Sequence, residues 1–304
     1  MIFVIYALVA AAVTMLSIKA ADYVELIDKK TSLSGAFIGG IMLSAVTSLP
    51  ELFTSLSSTL LLDEPGLCIG NILGSDLFLY IRQKAAVWGL EDEYVSSAAL
   101  DDLECAWSCT QGFLKAAESR SLPVLCVFDN EEVGSGSRQG ACSALLIDTL
   151  DRICESRNLN LKQMLSQSFM VSADNGHALH PNHPELSDPT NAPVLGGGVV
   201  LKFNATLKYC TDGLSAALFR KVCEKAGVRH QTYCNRADIA GGSTLGNLSQ
   251  HHVSVPTVDI GLAQLAMHSC YETGAAADAI ALEDAMTAYY SSTLEVRDDN
   301  FLLT

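Results

Sequence analysis

The sequence predicts an α/β fold, a mixed sheet covered by helices, preceded by two or three membrane-type α-helices. Three observations lead there. Before residue 80, charges are sparse and apolar runs are long; after it, apolar runs of strand length alternate with helix-like segments; and acidic residues follow directly on several of those runs. A chain of 304 residues holds one large or two modest domains. We divide it at residues 1–80 and 81–304.

The amino-terminal elements come first. Ile2–Ile18 is nearly all apolar, Ser34–Leu62 is apolar and small with one internal Pro-Glu, and Pro65–Ile81 is shorter. A bilayer span needs about 20 predominantly apolar residues, which the first two stretches approach or reach. The first has no basic leader and no small-residue cleavage site, so it is expected to be an anchor. Lys19, Lys29 and Lys30 separate the first two stretches, Arg82 and Lys84 follow the third, and the remaining connection, Asp63-Glu64, is acidic. With three spans, all five basic residues fall on one side, and the positive-inside rule places everything after residue 82 in the cytoplasm. The competing expectation is a set of buried helices in a soluble protein.

Glu51, in "VTSLPEL", is the odd residue of the second stretch. A carboxylate at membrane depth is costly, and here it stands with the hydroxyls of Thr47 and Ser48 beside a proline that frees backbone carbonyls. Oxygen ligands of this kind suit calcium or sodium.

From residue 83 onward, "LPVLCVF", "SFMVSA", "VVLKFN" and "VPTVDIG" read as strands. Cys105–Ser119, Ala141–Arg157, Leu214–Ala226 and Thr273–Tyr290 read as helices. Alternation of this kind makes a parallel or mixed sheet covered by helices, with sites beyond the carboxyl ends of the strands. Asp129, Glu131 and Glu132 follow the first run, Asp174 follows the second, and His268 lies past the last; Asp101 and Asp102 stand ahead of a helix. Carboxylates with one imidazole suit zinc or a similar divalent ion, and a shared carboxylate can bridge two. A glutamate that is not a ligand can then serve as base, which gives adjacent glutamates a division of labour. Taken singly, each has an ordinary role: helix-dipole acids at 101 and 102, a solvated loop at 131 and 132, a helix-start residue at 268.

A formal charge of −15 argues against a role on phosphate backbones, so no nucleic-acid partner is expected. Ten cysteines without a CxxC pair read as reduced, mostly buried thiols.

Two resemblances sharpen these expectations. "GGIMLSAVTSLPELFTSLSSTLLLDEPGLCIGNILGS" resembles the first alpha repeat of the sodium/calcium exchanger family, in which residues matching Thr47, Ser48, Glu51 and Asn71 help coordinate the ions. Those exchangers need a second, inverted repeat, and nothing after residue 82 is apolar enough to supply it. "VFDNEEVGSGSRQGA", "SADNGHALHPNHPE", "VLGGGVVLKFNATLKYCTDG" and "GGSTLGNLSQHHVSVPTVDIGLAQLAMHSCYETGAAAD" resemble the aspartyl aminopeptidase family of zinc metallopeptidases. That resemblance implies peptide substrates with acidic amino-terminal residues and two zinc ions. It makes Asp101 the bridging ligand, Glu131 the base, Glu132 and His268 ligands of one zinc, and Asp174 a ligand of the other. It places Lys202, Tyr209, Gly241 and Gly242 around the substrate. Family members are homo-oligomers.

The departures are also explicit. The family takes one further histidine ligand from an amino-terminal segment followed by an oligomerisation domain, whereas no histidine here precedes His177. One metal site (Asp101, Glu132, His268) is therefore expected to be complete, and the other keeps Asp101 and Asp174. The chain reads as a fusion or truncated chimera. Three functions follow as alternatives: a zinc aminopeptidase, impaired or not; a cation-exchanger fragment; or an inactive membrane-anchored remnant.

Overall fold

The computed structural model describes residues 79–239, 241–297 and 300–304. The expected membrane helices, with Thr47, Ser48, Glu51 and Asn71, lie outside the described residues. Among the described residues no helix is long and apolar enough to cross a membrane.

The first described elements are β1 (Ala86–Trp88) and β2 (Tyr94–Ser97), which pair antiparallel. The other edge of β2 pairs antiparallel with β9 (Glu272–Ala275), so positions far apart in the chain become neighbours. Helix α1 (Leu100–Lys115) follows, with Asp101 and Asp102 in non-helical conformation at its start. It buries Cys105, Ser108, Cys109 and Gly112, spaced by three and four residues and therefore on one face. That face packs on α6 (Ala276–Tyr290). At Gly112 the helices approach so closely that a Cβ would stand 2.6 Å from Cβ of Met286 and 2.9 Å from the Thr287 nitrogen, which excludes any larger residue.

Two shorter helices, α2 (Leu145–Ser156) and α3 (Leu161–Ser166), precede the central sheet. The sheet has the order β3-β7-β5-β6, with β3 at Met170–Ala173, β5 at Val199–Phe203, β6 at His230–Cys234 and β7 at Thr257–Gly261. β3 runs parallel to β7 and β5 parallel to β6, while β5 and β7 are antiparallel, which makes the sheet mixed. The short parallel pair β4 (Gly176–His177) and β8 (Ala263–Gln264) continues beyond it.

The period of two along β5 sorts its side chains to opposite faces. Val199 and Leu201 join Val258, Ile260 and Leu262 in the main core, against Phe219 and Val222 of α4 (Gly213–Ala226) and Leu282 and Met286 of α6. Val200 packs on the other face with Tyr209, Tyr233 and Ala263. Helix α4 carries its own boundaries in sequence: Asp212 and Ser215 form a reciprocal capping box, and Gly227, at φ 69°, ends the helix in the left-handed conformation that glycine adopts without penalty. The small helix α5 (Leu245–Ser249), a 3-10 turn at Pro184–Leu186 and the hairpin β10 (Leu294–Arg297) with β11 (Asn300–Leu303) complete the described elements.

The expected mixed α/β sheet covered by helices is present. Four local expectations differ, two of them only in helix ends: the helix expected over Cys105–Ser119 spans Leu100–Lys115, and that expected over Ala141–Arg157 spans Leu145–Ser156. "LPVLCVF" forms no ladder with a described strand, and Val127 remains 61% exposed. Its apolar run has strand propensity, but propensity reports the packing of a partnered surface. Here an apolar cavity of ≈ 500 Å³ is lined by this strip, β3, α2 and α3 instead. The helix expected to begin at Thr273 begins at Ala276, because Glu272–Ala275 are drawn into the ladder with β2.

Candidate metal centre

Four chain segments bring acids and an imidazole together. Asp101 enters from the non-helical first turn of α1, Glu131 and Glu132 from the turn after residues 122–128, Asp174 from the residue after β3, and His268 from the loop between β8 and β9. His268 is thus in a loop and not at a helix start. Its Nε2 lies 3.1 Å from Oδ2 of Asp101 and 3.1 Å from Oε2 of Glu132. Single donor atoms of Asp101, Glu132 and His268 all lie within 4.8 Å of one another, and so do those of Asp101, Asp102 and Asp174. Asp101 is shared by the two groups.

Burial separates the members. Asp101 is 8% exposed, and its Oδ1 is buried without a hydrogen-bond partner among the described residues. An orphaned buried carboxylate oxygen beside an imidazole and a second carboxylate fits a divalent cation, and this donor set is one zinc accepts. Glu132 and His268 are exposed, so the cluster is open on one side. Burial, then the charges of Asp174, Glu132 and Glu272, raise the Asp101 pKa to about 8. Burial and then Asp174 push Asp102 well above the ordinary carboxylate range. Burial first, followed by Asp174 and Glu132, raises Glu131 to about 7. Among these acids Glu131 therefore has a value suited to accepting a proton near neutrality. Burial and then the nearby His268 and Lys202 lower the pKa of His177 on β4.

Lys202, on β5, is 1% exposed; its Nζ donates to the Asn175 carbonyl at 2.7 Å and sits 3.3 Å from Oδ2 of Asp174. Burial pulls its pKa down, but Asp174, Tyr209 and Asp259 outweigh this and the net shift is up. The ammonium lies 5.4 Å from the ring centre of Tyr209. Gly241 and Gly242 belong to the loop between β6 and α5, where the Gly241 carbonyl accepts a hydrogen bond from Lys208 at 2.5 Å.

Sequence reasoning passed over two residues that hold this arrangement. Asn175, next to Asp174, donates its backbone N–H to Asp102 and its side-chain amide to the Leu100 carbonyl and Gln264; its oxygen accepts from the Cys105 thiol. Glu272 accepts backbone N–H groups from Asp101 and His268. Both flank proposed ligands in sequence, at one and four residues, and that proximity was the available signal.

A mixed sheet with a carboxylate–imidazole cluster beyond its strand ends defines a metallopeptidase-class framework. The profile described as Aminopeptidase I zinc metalloprotease (M18) matches residues 53–290, and the chain belongs to that family. Residues 1–83 match a second profile, Sodium/calcium exchanger protein. The chain is 44% identical over 205 residues to Probable M18 family aminopeptidase 2 of Clostridium novyi (strain NT), covering 66% of this chain and 47% of that protein. With the protein of the same description from Mycobacterium leprae (strain TN) it shares 39% over 236 residues, 76% of this chain and 55% of the relative. The crystal structure of an M18-family aminopeptidase from Thermotoga maritima superposes with a TM-score of 0.62 at 28% identity, covering 69% of this chain and 48% of that one. The chain spans about half the length of the curated relatives it matches.

Proposed function

We propose that residues 81–304 form a zinc-dependent aminopeptidase unit that removes acidic residues from the amino termini of peptides. The observation that carries it is the meeting of Asp101, Glu132 and His268 with Glu131 beside them, in a chain of the M18 family. Asp101, Glu132 and His268 would hold one zinc, and Asp101 with Asp174 would contribute to a second, incomplete site. Bound zinc supplies a Lewis acid that polarises the scissile carbonyl and makes water a better nucleophile.

The remaining work belongs to the chain. The Glu131 carboxylate takes the proton from the attacking water and passes it to the departing amine, a task its raised pKa favours. Lys202, expected from the resemblance to face the substrate, is buried with its ammonium on Asp174 and the Asn175 carbonyl, so here it holds and neutralises the Asp174 carboxylate and does not present its charge to a substrate side chain. Gly241 and Gly242 leave room for peptide backbone.

The test is hydrolysis of aspartyl and glutamyl chromogenic amides by the full chain, with metal content measured alongside. Zinc-dependent release, faster for these than for leucyl or lysyl amides, supports the reading; no release with zinc, manganese or cobalt removes it and leaves the inactive remnant.

The match of residues 1–83 to the exchanger profile favours a second role for that segment. In this reading residues 1–80 would anchor the chain in a membrane with residues 81–304 on the cytoplasmic side, and Thr47, Ser48, Glu51 and Asn71 would be the residues that bind a sodium or calcium ion. Calcium flux in vesicles that is lost in Glu51→Ala supports an ion-handling role, while absence of flux reduces the segment to an anchor.

A further inference from the structure

Glu272 opens β9, pairs with Ser97 of β2, and is 2% exposed. Both of its oxygens are committed. Oε2 accepts the backbone N–H of Asp101 at 3.0 Å, and Oε1 accepts that of His268 at 2.7 Å. One buried carboxylate thereby ties together two metal-ligand segments that stand 171 residues from Glu272 in one case and four in the other. His268 needs such a restraint, because its φ of 64° lies in the left-handed region, which a non-glycine residue keeps only when its surroundings impose it.

We propose that Glu272 is the positioning residue of the metal centre: it sets the separation of Asp101 and His268 before any ion arrives. The proposal rests on the reading above, in which Asp101 and His268 are ligands. Hydrogen bonds from N–H to an ionised acceptor are stronger than neutral ones, so each oxygen gives its ligand segment a firm anchor. Groups that fix ligand orientation without touching the ion are worth about 10–100-fold in metal affinity. Glutamine at this position cannot reproduce the arrangement, since its amide presents N–H towards one of two N–H donors.

The experiment uses the full chain, purified in detergent and stripped of metal. Zinc affinity is measured by competition with a chelating dye, and the visible spectrum of the cobalt-loaded protein reports ligand geometry. Four proteins are compared: wild type, His268→Ala, Glu272→Gln and Glu283→Gln. Glu283 is a buried glutamate of α6 that pairs with Lys115 at the far end of α1, about 20 Å along that helix from Asp101. Glu272→Gln is expected to weaken zinc about 10–100-fold and to shift the cobalt spectrum. Glu283→Gln should lower the melting temperature of the metal-free protein and leave affinity within about twofold of wild type. If His268→Ala binds zinc as tightly as wild type, the ligand assignment itself fails. If His268→Ala is weak but Glu272→Gln binds like wild type with an unaltered cobalt spectrum, the ligands stand and the positioning role is overturned. Where Glu272→Gln does not fold, Glu272→Asp is measured in its place. Loss of fold in both, unrepaired by excess zinc, overturns the proposal, because the residue then serves the fold and not the metal.

Discussion

The two walls of the candidate site are built differently. On one side, Asp101, Asp174 and His268 project from the ends of elements whose cores are closed: β7 and the facing residues of β5 are buried, and Asn175 and Glu272 pin the backbone beside each ligand. On the other, Glu131 and Glu132 stand on a turn after the unpaired strip of residues 122–128, where Val133 is 81% exposed and Asn130 has a φ of 62°. The packed wall carries Asp174, the buried Asp101 and, on a pinned but exposed loop, His268; the loose wall carries the proposed base and the second exposed ligand, Glu132. Chemistry at the junction therefore depends on a segment with little burial of its own to hold it.

Variants can break or sharpen that contrast, and their expected effects run from large to small. Glu131→Gln removes the proposed base and is expected to lower turnover by about 10²–10⁴-fold with zinc content unchanged, measured on an aspartyl chromogenic amide. In the unaltered protein the same group gives the pH profile its acidic limb: the carboxyl must lose its proton to act, so kcat/KM should rise with pH, and because burial raises this carboxyl while bound zinc would lower it, the limb should level off below about 7. A flat profile between pH 5 and 8 would contradict the assignment.

Next comes the packed wall. Leu201→Ala deletes a fully buried side chain between α4, α6 and the sheet, and is expected to cost about 2–5 kcal/mol in denaturant unfolding. A cost below about 1 kcal/mol would show that this wall is as loose as the other.

Glu104 on α1 gives a smaller effect with a definite sign. Both its oxygens are buried without hydrogen-bond partners among the described residues, and burial, then the charge of Asp278, raises its pKa from 4.5 to about 7. A folded-state pKa above the unfolded value favours folding while the group is protonated. That contribution is complete below the unfolded value and is lost as pH rises through about 7. Glu104→Gln should accordingly stabilise the metal-free protein by about 3 kcal/mol at pH 8 and by almost nothing at pH 4, measured by thermal melting. Equal effects at both pH values would mean that the carboxyl does not titrate there.

The smallest effect belongs to the loose wall. Val127→Ser alters an exposed residue of the unpaired strip and should change stability by less than about 0.5 kcal/mol. Amides of residues 122–128 should exchange hydrogen faster than those of β5 and β7. Slow exchange in the strip would show that it has found a partner edge.

The same contrast separates what could be read in the sequence from what could not. Helix α4 was legible almost to the residue, since its capping box and terminal glycine are local signals. The strands β3, β5 and β7 were legible because short apolar runs between polar punctuation suit a buried sheet. "LPVLCVF" carries the same kind of signal, yet a ladder needs a neighbouring edge, and hydrophobicity along one run does not encode its neighbour. Residues 273–275, most of β9, read as the first turn of a helix because their strand partner, β2, lies far away in sequence. Asn175 and Glu272 went unnoticed because what matters about them is which backbone groups their side chains reach.

By itself, then, the order of residues determined where chain could turn helical or extended, which carboxylates and imidazole were available, and that acids follow the strand-forming runs. Periodicity and end signals are properties of a few neighbouring residues, so they survive without a fold. Only tertiary structure decided that Asp101, Glu132 and His268 share one small volume and that Lys202 turns its charge inward to Asp174. Those distances depend on the antiparallel pairing of β2 with β9 and on the packing of α1 against α6. Both join residues far apart in the chain, and closing such loops is favourable only when the whole core forms together.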